Sequence, residues 1–342
     1  MQDDRASPII GEKIVERVKI SFASGRYDRL DALHNGAITI EGVDLEHIEL
    51  WPPRLVFDRM AGRQEFDAAE LSCSEYICQV DRGSCPFVAL PVFPSRVFRH
   101  GFICVHRDSD IKAPQDLEGR RIGVPLYTQT AAIWIRGLLQ NEYGVDLSAV
   151  RWLEGAVMEA GGHGHPAAPP MRKPPRIETN RTGRPLADLL LGGEIDAILG
   201  TFVDDACRAH RDIVRLFSDY RARERDYFRR TGIFPIMHLV VIRKDVHERH
   251  PGVARKLFDA MVAAKSWARS ELAVSNAQHY MLPWLLDDLD EIDQVFGGDP
   301  WPYGIEANRR TLEPLVDYML QQGFIARHIP LEELFLPFEP AD

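Results

Sequence analysis

The sequence has little of what most recognisable chemistries require. Its five cysteines, Cys73, Cys78, Cys85, Cys104 and Cys207, are odd in number. None stands in a CxxC pair, which excludes a disulfide framework or a cysteine zinc site as the organising principle. No apolar run approaches the ~20 residues of a membrane span. There is no basic surplus: 41 Lys and Arg stand against 51 Asp and Glu, for a formal charge of −10. That balance excludes a nucleic-acid face at the level of composition. GxGxxG, P-loop, GxSxG and HExxH patterns are missing, so nothing calls for a nucleotide, an activated serine or a helix-borne zinc. The first residues, MQDDRASPIIGEK, carry acids where a secretory signal needs bases, and no apolar core follows. A cytoplasmic protein is the expectation.

What is there suits a globular α/β protein. A chain of 342 residues, 45% apolar and 27% charged, has room for two domains with their own cores. VKISFAS (18–24), VDLEHIEL (43–50), FDAAELS (66–72) and FVALPVF (87–93) read as strands. DRLDALHNG, PRLVFDRMAGRQ and SEYICQVDRG, which lie between them, read as helices. GFICVHRDS is a further strand, and IKAPQDLEGRRIGVP reads as a crossing into a second α/β unit. IFPIMHLVVIRKDV (233–246) reads as the return. The expected fold is α/β, with two α/β domains in a Venus-flytrap arrangement joined by two interdomain crossings. Residues 18–106 plus 236–342 would form a discontinuous first domain, with 107–235 inserted as the second. Residues 1–17 would be an N-terminal extension and 155–185 a long Gly/Pro-rich surface loop.

Ligands of such folds sit in the cleft at the carboxyl ends of strands. In PSRVFRH, Arg96 and Arg99 follow a strand end. Guanidinium groups grip carboxylates with paired planar hydrogen bonds, although pairing with the surplus of acids is the plainer use. His100 and His238 fall near the crossings. Both are candidates for proton transfer, while His238, within an apolar strand, has the alternative of a hydrogen-bonded core histidine. Ser24 and Tyr27 lie at the first strand–helix turn, where Asp28 is expected to cap the helix. Glu70 and Ser72 end the third strand. Tyr127, Thr128 and Thr130 open a helix of the second domain and can grip an anion from the opposite side. Further along that helix, Trp134 reads as core and Arg136 as a solvated arginine. No metal site is predicted. Glu70, His100 and His238 would hold a divalent ion only if they converged, and no spacing shows that they do. His163 and His165 of HGHP read as loop histidines.

SGRYDR, EFDAAELSCSEY, VALPVFPSRVFRHG, DLEGRRIGVPLYTQTAAIWIRGLLQNEYGV, RRTGIFPIMHLVVIR and WPYGIEANRRTLE resemble the 4,5-dihydroxyphthalate decarboxylase family. The resemblance runs from about Val18 to Pro337. The wider framework is similar to type II periplasmic binding proteins. The resemblance implies loss of CO2 from a small hydroxylated aromatic dicarboxylate such as 4,5-dihydroxyphthalate, giving protocatechuate, with no organic cofactor. Neither nucleic acid nor membrane is an expected partner, and a homo-oligomer is left open. On this view Arg96 and Arg99 clamp the carboxylate that stays, since a tight grip on the one that leaves would slow the step. His100, adjoining the arginines, or His238 would protonate the ring carbon. Phe98, Phe202, Phe234 and Trp134 are candidates for an apolar wall facing the leaving group. The alternative is a non-catalytic cytoplasmic binding or sensor protein for a small carboxylate or heterocycle.

Overall fold

The structure, a computed structural model, describes residues 17–159, 170–274, 276 and 279–341. His163, His165 and residues 1–16 of the expected extension lie outside them. Along the chain, β1 (Val18–Ser24), α1 (Asp28–His34), β2 (Val43–Glu49), α2 (Arg54–Arg63), β3 (Ala68–Ser72), α3 (Cys73–Asp81) and β4 (Phe87–Arg96) come first. Then follow β5 (Ile103–His106), β6 (Arg121–Val124), α4 (Thr130–Asn141), β7 (Arg151–Glu154) and β8 (Ile177–Thr179). The middle of the chain continues with α5 (Leu186–Leu191), β9 (Ala197–Leu199), α6 (Val203–Ala209), β10 (Ile213–Arg215), α7 (Tyr220–Thr231) and β11 (Ile236–Arg243). It closes with α8 (Lys244–Arg249), α9 (Val253–Leu272), α10 (Leu285–Phe296), α11 (Arg309–Gln321) and α12 (Leu331–Leu334).

Two sheets organise these elements. The first has the order β2-β1-β3-β11-β4 and the second β10-β5-β9-β6-β7-β8. In the first, β1 runs parallel to β2 and β3, while β11 lies antiparallel between β3 and β4. Strand composition follows position. AAELS of β3 is buried along its whole length, as a central strand covered on both faces must be. VDLEHIE of β2 sits at the edge and keeps most of its side chains partly in water. The fold is thus mixed α/β with two α/β domains. No helix among the described residues is long and apolar enough to cross a membrane.

Two boundaries differ from expectation. Residues 103–106 do not belong with the first domain: β5 pairs antiparallel with β9 and β10 in the second sheet. The chain therefore crosses between Arg96 and Ile103, before the strand rather than after it. An apolar tetrapeptide does not encode which sheet it joins, and only its partners decide that. Within 155–185, β8 pairs parallel with β7. Its residues are partly or fully exposed, so this edge strand leaves no apolar periodicity to read.

Helix α4 ties the domains together. Trp134 is core, as expected, and its Nε1 donates to Ile236 O at 2.8 Å. Arg136 is not solvated but fully buried. Its Nε donates to Gln322 Oε1 at 2.8 Å and its Nη2 to Tyr127 O at 2.9 Å. The guanidinium lies 3.7 Å over the Tyr127 ring. Gly137 lets α4 approach α11, because a Cβ there would overlap the ring of Tyr318. Gly137→Ala should therefore lower stability by about 1–3 kcal/mol through overpacking, despite the ~1 kcal/mol that alanine gains over glycine in a helix. Denaturant midpoints measure this, and a more stable variant would show that the contact relaxes freely.

Candidate active site

The site begins with two prolines. Pro91 and Pro94 have no N–H to give to the ladder. The register between β4 and β11 accordingly slips from Val240–Leu90 to His238–Ser95. The irregularity falls at His238, which is flanked on its other side by Ser72 of β3. Bulges of this kind re-aim side chains, and here His238 lines a cleft of about 340 Å³ between the domains. That volume suits a small aromatic acid.

Behind His238 lies Glu70, fully buried in β3. Its carboxylate accepts Gly25 N–H at 2.7 Å, Tyr27 O–H at 2.7 Å and His238 Nδ1 at 2.6 Å. With Nδ1–H engaged, the free ring nitrogen of His238 is Nε2. Burial pushes the Glu70 carboxyl up, but His238, the Gly25 N–H and Tyr27 outweigh it and hold the group below its ordinary range. Burial and Glu70 push the Tyr27 phenol well up, so it remains a donor. The edge of the Phe57 ring meets His238 at 4.8 Å between centroids.

Arg99 also lines the cleft. It is 5% exposed, and its Nε is buried without a partner. Among the described residues no hydrogen bond or ion pair reaches its guanidinium, which lies 4.7 Å over the Phe102 ring. Burial pulls its pKa down to about 9 against the nearby charge of Glu224, so it is still cationic at neutral pH. Arg54 lines the same cleft, but both of its Nη atoms donate to Glu75, and its Nε donates to Asp58 Oδ1 at 2.8 Å. The second domain contributes Thr130, whose Oγ1 meets Ser72 Oγ at 3.0 Å and accepts Ser74 N–H at 3.1 Å. It also contributes the Gln129–Thr201 pair, 3.2 Å apart. Phe202 stands half exposed at the cleft in the left-handed region, with φ of 64°.

The structure brings His238, Tyr27, Ser72, Arg99, Thr130 and Phe202 to one cleft, with Glu70 directly behind. It places the other sequence candidates elsewhere. Arg96 turns away and donates to Asn308 Oδ1. Phe234 stacks on Phe98 at 4.5 Å, lining a separate cavity under α10. Ser24 Oγ bonds Gly25 O and His47 Nε2. Tyr127 packs against Trp152 and Phe324. Thr128 offers its carbonyl to Ser74 Oγ. Asp28 does not cap α1, whose N-cap is Tyr27; it accepts from Arg29 instead. Arg54, Glu75, Gln129 and Thr201 went unread in the sequence. The available signals were the Pro52–Pro53 pair that starts α2 at the cleft and the polar residues flanking Thr130 and Phe202. The cavity under α10 is larger, about 530 Å³. Its cations are already engaged, Lys265 and Arg269 both pairing with Asp299 and Arg29 with Asp28 and the Pro94 carbonyl.

His100 is also outside the cleft lining. It is buried among Tyr143, Phe217 and Tyr227. Burial, with Arg223 and Arg230 nearby, pulls its pKa down to about 4. Burial thus favours its neutral form, which is a poor source of a proton. Nor does it join Glu70 and His238: among the described residues, no three His, Cys, Asp or Glu are grouped to hold a metal. Its neighbour Glu224, with Oε1 3.9 Å from His100 Nδ1, accepts Gly101 N–H at 3.3 Å. Burial pushes Glu224 up to about 7, against the pull of the Gly101 and His100 backbone, Arg99 and Arg215. A carboxyl whose folded pKa exceeds its unfolded value holds its proton longer in the folded state. Stability therefore falls as pH rises from about 4.5 through about 7. Glu224→Gln should gain stability relative to the native chain across that window and no further above it. Thermal unfolding at a series of pH values measures this, and a pH-independent difference would refute the assignment.

The comparisons with known proteins bear on the fold and the family. A family model described as NMT1/THI5 like matches residues 98–161. Among solved structures, the periplasmic aliphatic sulphonate binding protein of Escherichia coli aligns with a TM-score of 0.52. It is 13% identical, over 96% of this chain and 94% of that one. A Candida albicans protein described as having the generic periplasmic binding protein fold aligns at 0.51, with 12% identity over 95% and 97%. These place the fold in the periplasmic-binding-protein-like class. A 4,5-dihydroxyphthalate decarboxylase of Pseudomonas putida is 34% identical over 222 residues, 63% of this chain and 83% of that protein. Its counterpart from Comamonas testosteroni is 33% identical over 329 residues, 94% of this chain and 98% of the relative. At that identity and coverage, the chain belongs to the 4,5-dihydroxyphthalate decarboxylase family.

Proposed function

We propose that the interdomain cleft removes one CO2 from a hydroxylated aromatic dicarboxylate such as 4,5-dihydroxyphthalate, releasing protocatechuate. The observation that carries this reading is Arg99: a buried guanidinium without a hydrogen-bond or ion-pair partner among the described residues, on the same small cleft as a histidine held by a buried carboxylate. A buried charge is costly unless paired, and an aromatic carboxylate is a planar partner for it.

Arg99 grips the carboxylate that stays. The clamp is thus one arginine rather than the pair read from the sequence, because Arg96 is engaged with Asn308. The proton donor is His238 rather than His100. Glu70 fixes the imidazole by its Nδ1, and Nε2 delivers a proton to the ring carbon that bears the other carboxylate. Electron density pushed from the phenol oxygen para to that carbon supports the transfer. The C–CO2 bond then breaks, its electron pair restores the aromatic ring, and CO2 departs. His238 is left neutral and recovers its proton from solvent. Phe57 and Phe202 offer the leaving carboxylate an apolar surface, and the cation beside it, Arg54 at 5.2 Å over the Phe57 ring, is held by Glu75.

The test is CO2 release from 4,5-dihydroxyphthalate in deuterated water. The native chain should place one deuterium at the vacated carbon. His238→Gln should lower kcat by ~10²–10⁴ with little change in binding. Arg99→Lys should raise KM, since lysine keeps the charge but loses the planar fork. Undiminished turnover in His238→Gln would remove histidine protonation. A saturable spectral shift with no CO2 would identify a binding protein instead.

A further inference from the structure

The two guanidinium groups facing the cleft are in opposite situations. Arg99 has no hydrogen-bond or ion-pair partner among the described residues. Arg54, the first residue of α2, is held in a two-pronged grip by Glu75, Nη2 to Oε2 at 2.9 Å with Nη1 on Oε1, and again by Asp58. Glu75 lies in the first turn of α3, is 3% exposed and also lines the cleft. Arg54, Glu75 and Asp58 together sum to a charge of −1, and the Asp58 share is partly screened because its side chain is 36% exposed. Although two arginines line the wall, a ligand meets one available cation and one ion cluster that repels a second carboxylate.

We infer that Glu75 is a specificity-determining residue: it withholds Arg54 from the ligand, so the cleft grips one carboxylate of an aromatic diacid and leaves the other ungripped. This deepens the carboxylate-binding reading of the same cleft and rests on it. Were Arg54 free, a diacid would bind through both carboxylates. The second ion pair would then have to break before CO2 could leave, and tighter ground-state binding would be bought with a slower step. Buried fork-to-fork pairing with Glu75 is the strongest way to keep an arginine occupied.

The test separates binding from turnover by using two acids that carry no hydroxyl, phthalate and benzoate, with Kd measured by calorimetry. The native chain should bind them within ~threefold of each other, because each presents one carboxylate to Arg99. Glu75→Gln frees Arg54 and should tighten phthalate ~tenfold while changing benzoate by less than ~threefold. In the same variant, kcat for 4,5-dihydroxyphthalate should fall together with KM. Glu75→Gln combined with Arg54→Gln exchanges an ion pair for a neutral one and should return the phthalate-to-benzoate ratio to the native value. Asp58→Asn, a change on the exposed side, should shift the ratio in the same direction by less, and it serves if the buried variants do not fold. A native preference for phthalate of ~hundredfold, or a ratio unmoved in both Glu75→Gln and Asp58→Asn, overturns the inference. The predicted binding pattern without any CO2 release would remove the decarboxylase reading and keep this one.

Discussion

The carboxylate of Glu70 is the group on which the site depends. A buried, ionised carboxyl is unfavourable unless donors surround it, and here three donors come from two stretches of chain. The Gly25 N–H and the Tyr27 hydroxyl belong to the turn after β1, and His238 belongs to the returning strand β11. The requirement to satisfy one oxygen pair therefore brings the start of the chain, the central strand and the return crossing to a common point. It also fixes which nitrogen of His238 is left for the cleft. The irregular pairing around Pro91 and Pro94 is the backbone counterpart, because it opens the sheet where that imidazole has to point.

The opposite wall is held with comparable economy. Thr130 Oγ1 meets both Ser72 and Ser74, so the first turn of α4 is fastened to the end of β3. Further along the same helix, Trp134 donates to the backbone of β11, and Arg136 is pinned between Gln322 and the Tyr127 carbonyl. Although α4 follows a strand of the second sheet, it is packed into the first domain. The cleft is consequently built on rigid elements, as precise positioning of reacting groups demands.

Much of the architecture was legible in the sequence, because buried strands such as AAELS and IMHLVV announce themselves by composition. What could not be read was partnership. ICVH is plainly a strand, yet only its pairing with β9 shows which sheet it joins. The site was legible in the same limited way. Arg96, Arg99 and His100 stand within five residues after a strand end, but direction separates them. Arg99 faces the cleft, Arg96 faces Asn308, and His100 enters an aromatic nest whose burial lowers its pKa. In an irregular segment no periodicity tells one side from the other. His238, by contrast, could be suspected because a histidine in an apolar strand must find a polar partner, and the buried Glu70 is that partner. Arg54 and Glu75 were hidden because an arginine at a helix start and a glutamate in a first turn are ordinary choices for a solvated helix.

The central claim is that this cleft seats an aromatic acid with its retained carboxylate on Arg99 and its ring against His238. A crystal structure with bound protocatechuate tests it most directly. The account predicts the carboxylate at ~2.7–2.9 Å from the Arg99 guanidinium, with the vacated ring carbon facing His238 Nε2. A carboxylate found on Arg54, or the ring found in the cavity under α10, would contradict it.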